Sequence, residues 1–266
     1  MLTEMIVPKI DVVMITKNSV IPCLDESLDS VARNIPLNKL IVVDSFSVDD
    51  TIQKIKDHKD IDSKIIQVES TRGKARGIGI RNITTELFAF VDSDVILSDG
   101  WFDEIIKHLT ATVGAVEGNV KMVDGKAQKI RQSGRGYTNC TLIRSESVKG
   151  ILIPEEIQIY EDQFIRKFIE RKGYKWVKVR EPCSTHNSMP ESLGPIWRSF
   201  ELGRMCGKYH LYPLWRVLIA FIIVSVKKTA GIHSEDPKIY YMRIKGHLRG
   251  LYERLRKSSS IVEGSE

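Results

Sequence analysis

The sequence predicts an α/β fold in which a mostly parallel central sheet is flanked by helices. Four short apolar runs, rich in β-branched residues, alternate with helix-like stretches and occupy residues 10–16, 39–44, 63–68 and 87–92. Strands separated by short helices are typical of βαβ units, which form parallel sheets. Because these runs are largely apolar and show no strict alternation of apolar and polar residues, both faces of the sheet are expected to be covered.

The stretches between and after these strands have the signals of helices and of further strands. Leu24, Leu28 and Val31 are spaced for one face of a helix over residues 21–34, and residues 47–51 provide a loop and an N-cap for the next helix. The pattern then predicts a Gly- and Arg-containing turn into a helix over residues 73–84, a helix over 101–109 and a strand over 113–123. A helix over 160–172 that ends at a glycine and a strand over 174–179 follow.

The composition excludes several classes of protein. The chain has 266 residues, of which 42% are hydrophobic and 28% charged, so it is not disordered, collagen-like or of low complexity. The four cysteines lie far apart with no C-x-x-C pair, which argues against a disulfide framework or a zinc ribbon and favours a reducing compartment. The first residues have no basic region followed by a long apolar stretch, so no secretory signal is expected.

The net charge of +6 is unevenly distributed along the chain. Residues 204–257 contain twelve Lys and Arg and three acidic residues, a net +9, so the remainder has a net charge of −3. Beyond residue 190 the pattern changes to amphipathic helices separated by Gly and Pro. We therefore expect a domain over residues 1–195 and a basic helical segment over residues 196–266. Such a segment favours an anionic partner such as phospholipid, nucleic acid or a phosphorylated substrate.

Polar or acidic residues end three of the predicted strands. They are Thr16, Asp44 and Asp92. In open parallel sheets, ligands bind beyond the carboxyl ends of the strands, near the point where the strand order reverses. The three strand ends therefore predict a binding site at one edge of the sheet.

Two acidic pairs are candidates for the chemistry. Asp92 and Asp94 follow a buried strand and are separated by one residue, so both carboxylates can turn toward one divalent cation. Mg²⁺ and Mn²⁺ prefer such hard oxygen ligands and keep coordination positions open for substrate phosphates. Glu161 and Asp162 begin the helix predicted over residues 160–172, where acidic residues are also favoured by the helix dipole alone.

Taken in order, these motifs resemble those of the family 2 glycosyltransferases, which have the GT-A nucleotide-sugar-binding fold. The resemblance covers residues 9–190. It rests on an opening strand with a T-x-N turn at residues 12–18, a V-D-x-G-S-x-D-x-T box at 42–51 and an A-R-N-x-G segment at 73–80. A D-x-D strand at residues 90–94 and an E-D box at 160–162 complete the set. Phe46 stands where the family usually has Gly, and Gly77 where it usually has Asn. No Q-x-x-R-W sequence follows the E-D box, which favours a single-addition enzyme over a processive one.

The resemblance implies a pocket for a nucleoside-diphosphate sugar. Asp44 would accept a hydrogen bond from the nucleobase, with Thr16 and Asn18 lining the same pocket. Arg76 would contact the nucleotide, and Ser93 would also bind the nucleotide sugar. The donor is expected to be a UDP- or GDP-sugar, and the acceptor a hydroxyl, as on a glycan, or a lipid-linked phosphate.

The resemblance also implies a metal ion and a general base. Asp92 would lie near the ribose and the metal, Asp94 would bind Mn²⁺ or Mg²⁺ directly, and His186 would supply a further metal ligand. Asp162 would deprotonate the acceptor hydroxyl, the usual role of a general base. In-line attack from that side inverts the configuration at the anomeric carbon.

Three alternatives remain open from the sequence. Residues 90–97 also match the strand motif of HAD-type phosphohydrolases, with Asp92 as nucleophile, although no D-G-T and no downstream G-D-x-x-x-D follow. A sugar-nucleotide pyrophosphorylase would need an N-terminal Gly-rich loop, which the sequence lacks. A basic, non-enzymatic adaptor for membranes or nucleic acid is the third, but the sequence has no recognised nucleic-acid module, and no nucleic-acid partner is expected.

The basic segment has the pattern of a helix at a membrane surface. Residues 211–226 include an apolar run flanked by Trp215, Arg216, Lys227 and Lys228. A spanning helix needs roughly 20 apolar residues, so this run is too short, whereas an interfacial helix fits its composition. We expect peripheral membrane contact through residues 211–257, a lipid-linked acceptor and a location on the cytoplasmic membrane face. The alternative is a helix packed on the catalytic domain.

Overall fold

A computed structural model describes residues 8–123, 128–130, 136–187, 194–232 and 235–262. The chain divides into two compact units, Met1–Met189 and Pro190–Glu266. In the first unit the strands are β1 Ile10–Thr16, β2 Leu37–Asp44, β3 Ser63–Gln67, β4 Leu87–Val91, β5 Val95–Ile96, β6 Val113–Val123, β7 Gln128–Ile130, β8 Cys140–Arg144 and β9 Lys175–His186. Its helices are α1 Leu24–Asn34, α2 Thr51–Asp57, α3 Arg72–Arg81, α4 Trp101–Ile105, α5 Ser145–Val148 and α6 Glu161–Arg171, with a 3₁₀ turn at Ile106–His108.

The described strands form one sheet in the order β3-β2-β1-β4-β8-β6-β9-β5, with β7 paired to β6. The part from β3 to β4 is parallel. Beyond it, β8 is antiparallel to β4 and β6, β9 is parallel to β6, and β5 is antiparallel to β9. The α/β class is therefore confirmed, but the sheet is less parallel than predicted, because apolar runs report burial and carry no information about strand direction.

The core confirms that both faces of the sheet are covered. Every residue of β4 after Leu87 is fully buried, and Phe88 and Phe90 meet edge to face with ring centroids 5.2 Å apart. On α1, the predicted stripe of Leu24, Leu28 and Val31 is completely buried. The helix begins at Leu24, later than predicted, because a proline at position 22 disfavours helical backbone at the residue before it.

The glycine-containing segment predicted as a turn is itself a helix. α3 begins at Arg72, and the Thr71 side chain accepts a hydrogen bond from the Lys74 backbone N–H, which caps the helix. A Cβ added at Gly79 would lie 2.3 Å from a methyl carbon of Val13. Gly73, whose added Cβ would lie 2.7 Å from the Ile157 backbone oxygen, and Gly79 therefore allow α3 to pack closely against its neighbours, so they do not mark a turn.

The second unit consists of helices α7 Pro195–Tyr209, α8 Leu214–Thr229 and α9 Pro237–Val262 in its described part. α7 and α9 approach so closely that a Cβ added at Gly203 or at Gly246 would lie 1.9 Å from a backbone oxygen of the opposite helix. Gly207 and Gly250 make similar approaches, so each helix contributes a Gly-x-x-x-Gly pair to the contact. None of the helices in the described ranges has the length and hydropathy needed to span a membrane.

Candidate active site

The carboxyl ends of β1, β2 and β4 meet at one edge of the sheet, as the sequence predicts. Thr16 pairs with Asp44 in the register of β1 and β2, and Asp92 directly follows β4 on the other side of β1. β1 lies between β2 and β4 in the sheet, so the strand order reverses at this edge. Neighbouring strands lie about 4.8 Å apart, which separates the ends of β2 and β4 by about 10 Å. This is the position where ligands bind in open α/β sheets.

Asp44 is fully buried and accepts four hydrogen bonds. The Thr16 and Ser47 hydroxyls donate to Oδ1 at 2.8 and 2.5 Å, and the Ser47 backbone N–H and Gln67 Nε2 donate to Oδ2 at 2.9 and 3.2 Å. Burial alone would raise the pKa of Asp44, but these donors outweigh it and hold the pKa below its usual value. A nucleobase would therefore reach Asp44 only by replacing a donor, and Gln67 makes the longest of the four contacts.

The loop after β2 is held by Asn18 and contains a strained aromatic residue. Asn18 Oδ1 accepts a hydrogen bond from the Val48 backbone N–H at 2.8 Å, and its own N–H donates to the Ser47 hydroxyl at 2.8 Å. Phe46 has a φ of 51°, in the left-handed region that favours glycine, and its side chain is exposed. A glycine would adopt this conformation without strain.

Arg76 lies beneath the D-x-D motif in the interior. Its side chain is only 2% exposed, it donates to Asp92 Oδ1 at 2.5 Å, and its guanidinium lies 4.6 Å from the centre of the Phe90 ring. Within the described residues, Nε and Nη1 of Arg76 have no hydrogen-bond partner. This buried position suits a residue that orients Asp92. The direct contact of Arg76 with the nucleotide, which the resemblance implies, stays a prediction.

Glu161 is a buried acid, and the sequence did not reveal its burial. Burial raises its pKa, although the charges of Arg72 and Arg76 favour the ionised form, and Asp92 lies close enough to raise it further. The first acid of the E-D pair therefore belongs to the same charge cluster as Arg76 and Asp92. The sequence indicated the acidic pair of Glu161 and Asp162, but not which of the two acids is buried.

Asp94 and His186 come together from distant parts of the chain. Asp94 Oδ2 lies 3.1 Å from His186 Nε2, and the pairing of Val95 with His186 between β5 and β9 aligns them. Ser93, between the two aspartates, is half-buried. The backbone oxygen of Asn139, a residue that no motif indicated, accepts a hydrogen bond from the Asp92 N–H at 3.0 Å. The side-chain nitrogen of Asn139 lies 3.4 Å from His186 Nδ1.

The donor set at Asp94 and His186 suits a Mn²⁺ or Mg²⁺ ion that a substrate helps to bind. The two side chains offer one carboxylate and one imidazole nitrogen within 3.1 Å of each other. Nowhere in the part of the chain that the structure describes do three or more His, Cys, Asp or Glu side chains group to hold a metal by themselves. Few protein ligands are typical of Mg²⁺ sites that complete their coordination with substrate phosphates and water.

Asp162 lies in the first turn of α6, after Tyr160, which has a left-handed φ of 68°. Its carboxylate is half-buried and accepts a hydrogen bond from the Gln163 N–H at 2.6 Å. Glu161, the residue before it, places this end of α6 beside the cluster of Arg76 and Asp92. The assigned role of Asp162 as general base stays a prediction.

Comparison with known proteins identifies the family. The model of Glycosyl transferase family 2 matches residues 11–187, and the chain belongs to this family. The match includes residues 90–97, on which the HAD-type phosphohydrolase alternative rested, so that alternative is no longer supported. A search of curated protein sequences finds no match.

Solved structures confirm the GT-A type of fold. S. aureus TarS 1-349 in complex with UDP-GlcNAc is 19% identical, with a TM-score of 0.60, over 75% of this chain and 66% of that one. The mannosyltransferase PcManGT from Pyrobaculum calidifontis, in complex with GDP-Man and Mn²⁺, is 17% identical, with a TM-score of 0.57, over 97% and 75%. Glucosyl-3-phosphoglycerate synthase from Mycobacterium tuberculosis, with Mn²⁺, UDP and phosphoglyceric acid, is 16% identical, with a TM-score of 0.53, over 85% and 80%.

The chain is shorter than the TarS proteins that it resembles. It spans 66%, 64% and 39% of three TarS structures. At identities below 20%, the likeness to these structures concerns the fold.

Proposed function

We propose that this protein transfers a sugar from a UDP- or GDP-sugar to a hydroxyl or a lipid-linked phosphate, with inversion at the anomeric carbon. The observation that supports the proposal most is that Asp92 follows β4 at the edge where the strand order reverses, about 10 Å from the Thr16–Asp44 pair, and that Asp94, two residues further on, lies 3.1 Å from His186. Family membership supports the class of reaction, and similar structures that hold UDP-GlcNAc, or GDP-Man with Mn²⁺, support the class of donor.

Each group has a distinct task in this proposal. Asp94 and His186 would hold Mn²⁺ or Mg²⁺, which, when bound, supplies positive charge that stabilises the leaving diphosphate. Arg76 fixes Asp92, and the loop held by Asn18 shapes the base pocket around Asp44.

The transfer itself is a single displacement. The acceptor oxygen forms a bond to the anomeric carbon while the bond from that carbon to the diphosphate oxygen breaks. The Asp162 carboxylate takes the proton of a hydroxyl acceptor as general base. A phosphate acceptor is already ionised, so for such an acceptor Asp162 would position the nucleophile and remove no proton.

Two variants separate binding from transfer. Asp94→Asn is expected to abolish Mn²⁺-dependent binding of the sugar nucleotide, measured by thermal stabilisation with UDP- and GDP-sugars. Asp162→Asn is expected to keep that binding and to lower transfer to a hydroxyl acceptor about 10²–10⁴-fold, the usual contribution of a general base. Asp103→Asn, which changes an exposed carboxylate on α4, is the matched control. Equal loss of binding in the first two variants would contradict the separate roles.

A further inference from the structure

One face of α8 is an exposed apolar stripe. Only two of its sixteen residues, Val217 and Val224, are buried, and they are seven positions apart on one side of the helix. The stripe on the other side consists of large apolar side chains that are each between 40% and 60% exposed: Trp215, Leu218, Ile219, Ile222, Ile223 and Val226. Successive members are alternately three residues and one residue apart, and this spacing places all six along one face of the helix.

The charges around this stripe are basic. α8 itself contains Arg216 near its beginning and Lys227 and Lys228 in its last turn, all exposed, and it contains no acidic residue. Arg216 lies 5.2 Å from the centre of the Trp215 ring. Residues 204–257 together have a net charge of +9.

The neighbouring helix α9 also has exposed aromatic and basic side chains. α8 packs against α9, and α9 is held to α7 at the glycine contacts described above. On α9, Tyr241, Leu248, Tyr252 and Leu255 are also exposed, and Lys245 and Arg249 lie 5.0 and 5.8 Å from the rings of Tyr241 and Tyr252. Aromatic and basic side chains thus recur together on the exposed surface of both helices.

We propose that α8 lies in the plane of an anionic membrane surface and inserts this stripe between the lipid headgroups. At 1.5 Å per residue, its 16 residues extend about 24 Å, short of the roughly 30 Å hydrocarbon core, so the helix lies on the membrane. An apolar face with tryptophan and basic flanks is the composition of interfacial helices. A second copy of this chain is a poorer occupant, because it would bring two strongly basic units together. The proposal does not depend on sugar transfer.

The test uses the full chain and sedimentation with vesicles. Binding is expected to vesicles of phosphatidylcholine with phosphatidylglycerol, to weaken as salt rises, and to be much weaker on phosphatidylcholine alone. The double variant Ile219→Gln with Ile222→Gln is expected to lose binding to both kinds of vesicle. Leu152→Gln, which changes an exposed apolar residue of the other unit, is the matched control and is expected to bind like the wild type.

A second variant tests the charges. Near-surface cations each contribute about a fivefold factor to binding, so replacing Arg216, Lys227 and Lys228 by Gln is expected to weaken binding to anionic vesicles about 100-fold. Replacing three exposed lysines of the other unit, Lys56, Lys59 and Lys149, by Gln is the control. It lowers the net charge equally and is expected to leave most of the binding.

Several results would overturn the proposal. One is absence of binding to anionic vesicles at low salt, and another is wild-type binding by the Ile219 and Ile222 variant. A change from dimer to monomer in that variant, with vesicle binding intact, would assign the stripe to a second copy. Circular dichroism checks that the variants stay folded. Sugar transfer to a water-soluble acceptor is measured in parallel, so failure of the membrane proposal and failure of the proposed enzymatic function remain distinguishable.

Discussion

The two aspartates of the D-x-D motif are expected to differ sharply in their contribution to stability. They are nearly equally exposed, at 25% for Asp92 and 28% for Asp94, but they face different partners. Asp92 is paired with the guanidinium of Arg76, which is buried from water. Asp94 faces His186, whose ring is charged only when protonated. Changing each aspartate to Asn removes one charge and almost no volume, so the partner decides the outcome.

The magnitude follows from the charge that is left behind. Removing one partner of a buried ion pair costs about 3–5 kcal/mol, because the other charge stays buried without compensation. Asp92 is partly exposed and Glu161 lies near the same arginine, which reduces the expected cost of Asp92→Asn to about 2–3 kcal/mol. His186 is charged only when protonated, so Asp94→Asn does not leave a permanent buried charge as Asp92→Asn does. The loss of one ordinary hydrogen bond is expected to cost about 1 kcal/mol or less.

Thermal unfolding in the presence of a chelator measures this difference without a contribution from bound metal. For a domain of this size, Asp92→Asn is expected to lower Tm by about 4–12 °C and Asp94→Asn by no more than about 4 °C. Asp103→Asn serves as the surface control. Equal shifts for the two D-x-D variants would refute the assignment of Asp92 to a structural ion pair with Arg76.

Three further predictions concern particular residues. Gly207→Ala places a Cβ 2.1 Å from the His247 backbone oxygen and is expected to destabilise the helix pair by about 2 kcal/mol in urea unfolding, whereas the helical control Gly77→Ala is expected to be neutral or stabilising. Because the pKa of Asp44 is lowered on folding, its contribution to stability is present above the ordinary carboxyl pKa and is lost as pH falls through the lowered value. The wild type should therefore lose more free energy of unfolding than Asp44→Asn between about pH 5 and pH 3, and equal losses would contradict this. Phe46→Gly should relieve the left-handed strain and raise the free energy of unfolding by about 1 kcal/mol, and a decrease in urea unfolding would count against strain at that position.

The strands of the parallel half were predictable from sequence for a physical reason. A strand that is covered on both faces is largely apolar, and this holds for the mostly buried β1, β2 and β4, whereas β3 at the edge of the sheet is only partly buried. All four strands lie within two residues of the predicted runs. The direction of β6, β8 and β9 was not predictable, because it depends on where the chain crosses the sheet. Gly73, Gly77 and Gly79 suggested a turn. Gly73 and Gly79 instead allow close packing of a helix, which only the neighbouring elements reveal.

For the candidate site, residue types were predictable and their partners were not. The D-x-D motif is local in sequence, so Asp92 and Asp94 could be proposed directly. The contact between Asp94 and His186 joins residues 92 positions apart, through the pairing of β5 with β9. The burial of Arg76 and Glu161 likewise depends on how α3 and α6 pack, and local sequence patterns do not report such packing.

The central claim is that Asp94 and His186 hold a divalent cation that in turn binds the diphosphate of the donor. Titration calorimetry of UDP and GDP against the wild type, with Mn²⁺ and with a chelator, measures this most directly, with Asp94→Asn and His186→Ala in parallel. We expect one of the two nucleotides to bind the wild type only when Mn²⁺ is present, Asp94→Asn to lose that binding, and His186→Ala to weaken it by about 10-fold or more. Binding of equal strength with chelator, or in Asp94→Asn, would contradict the account.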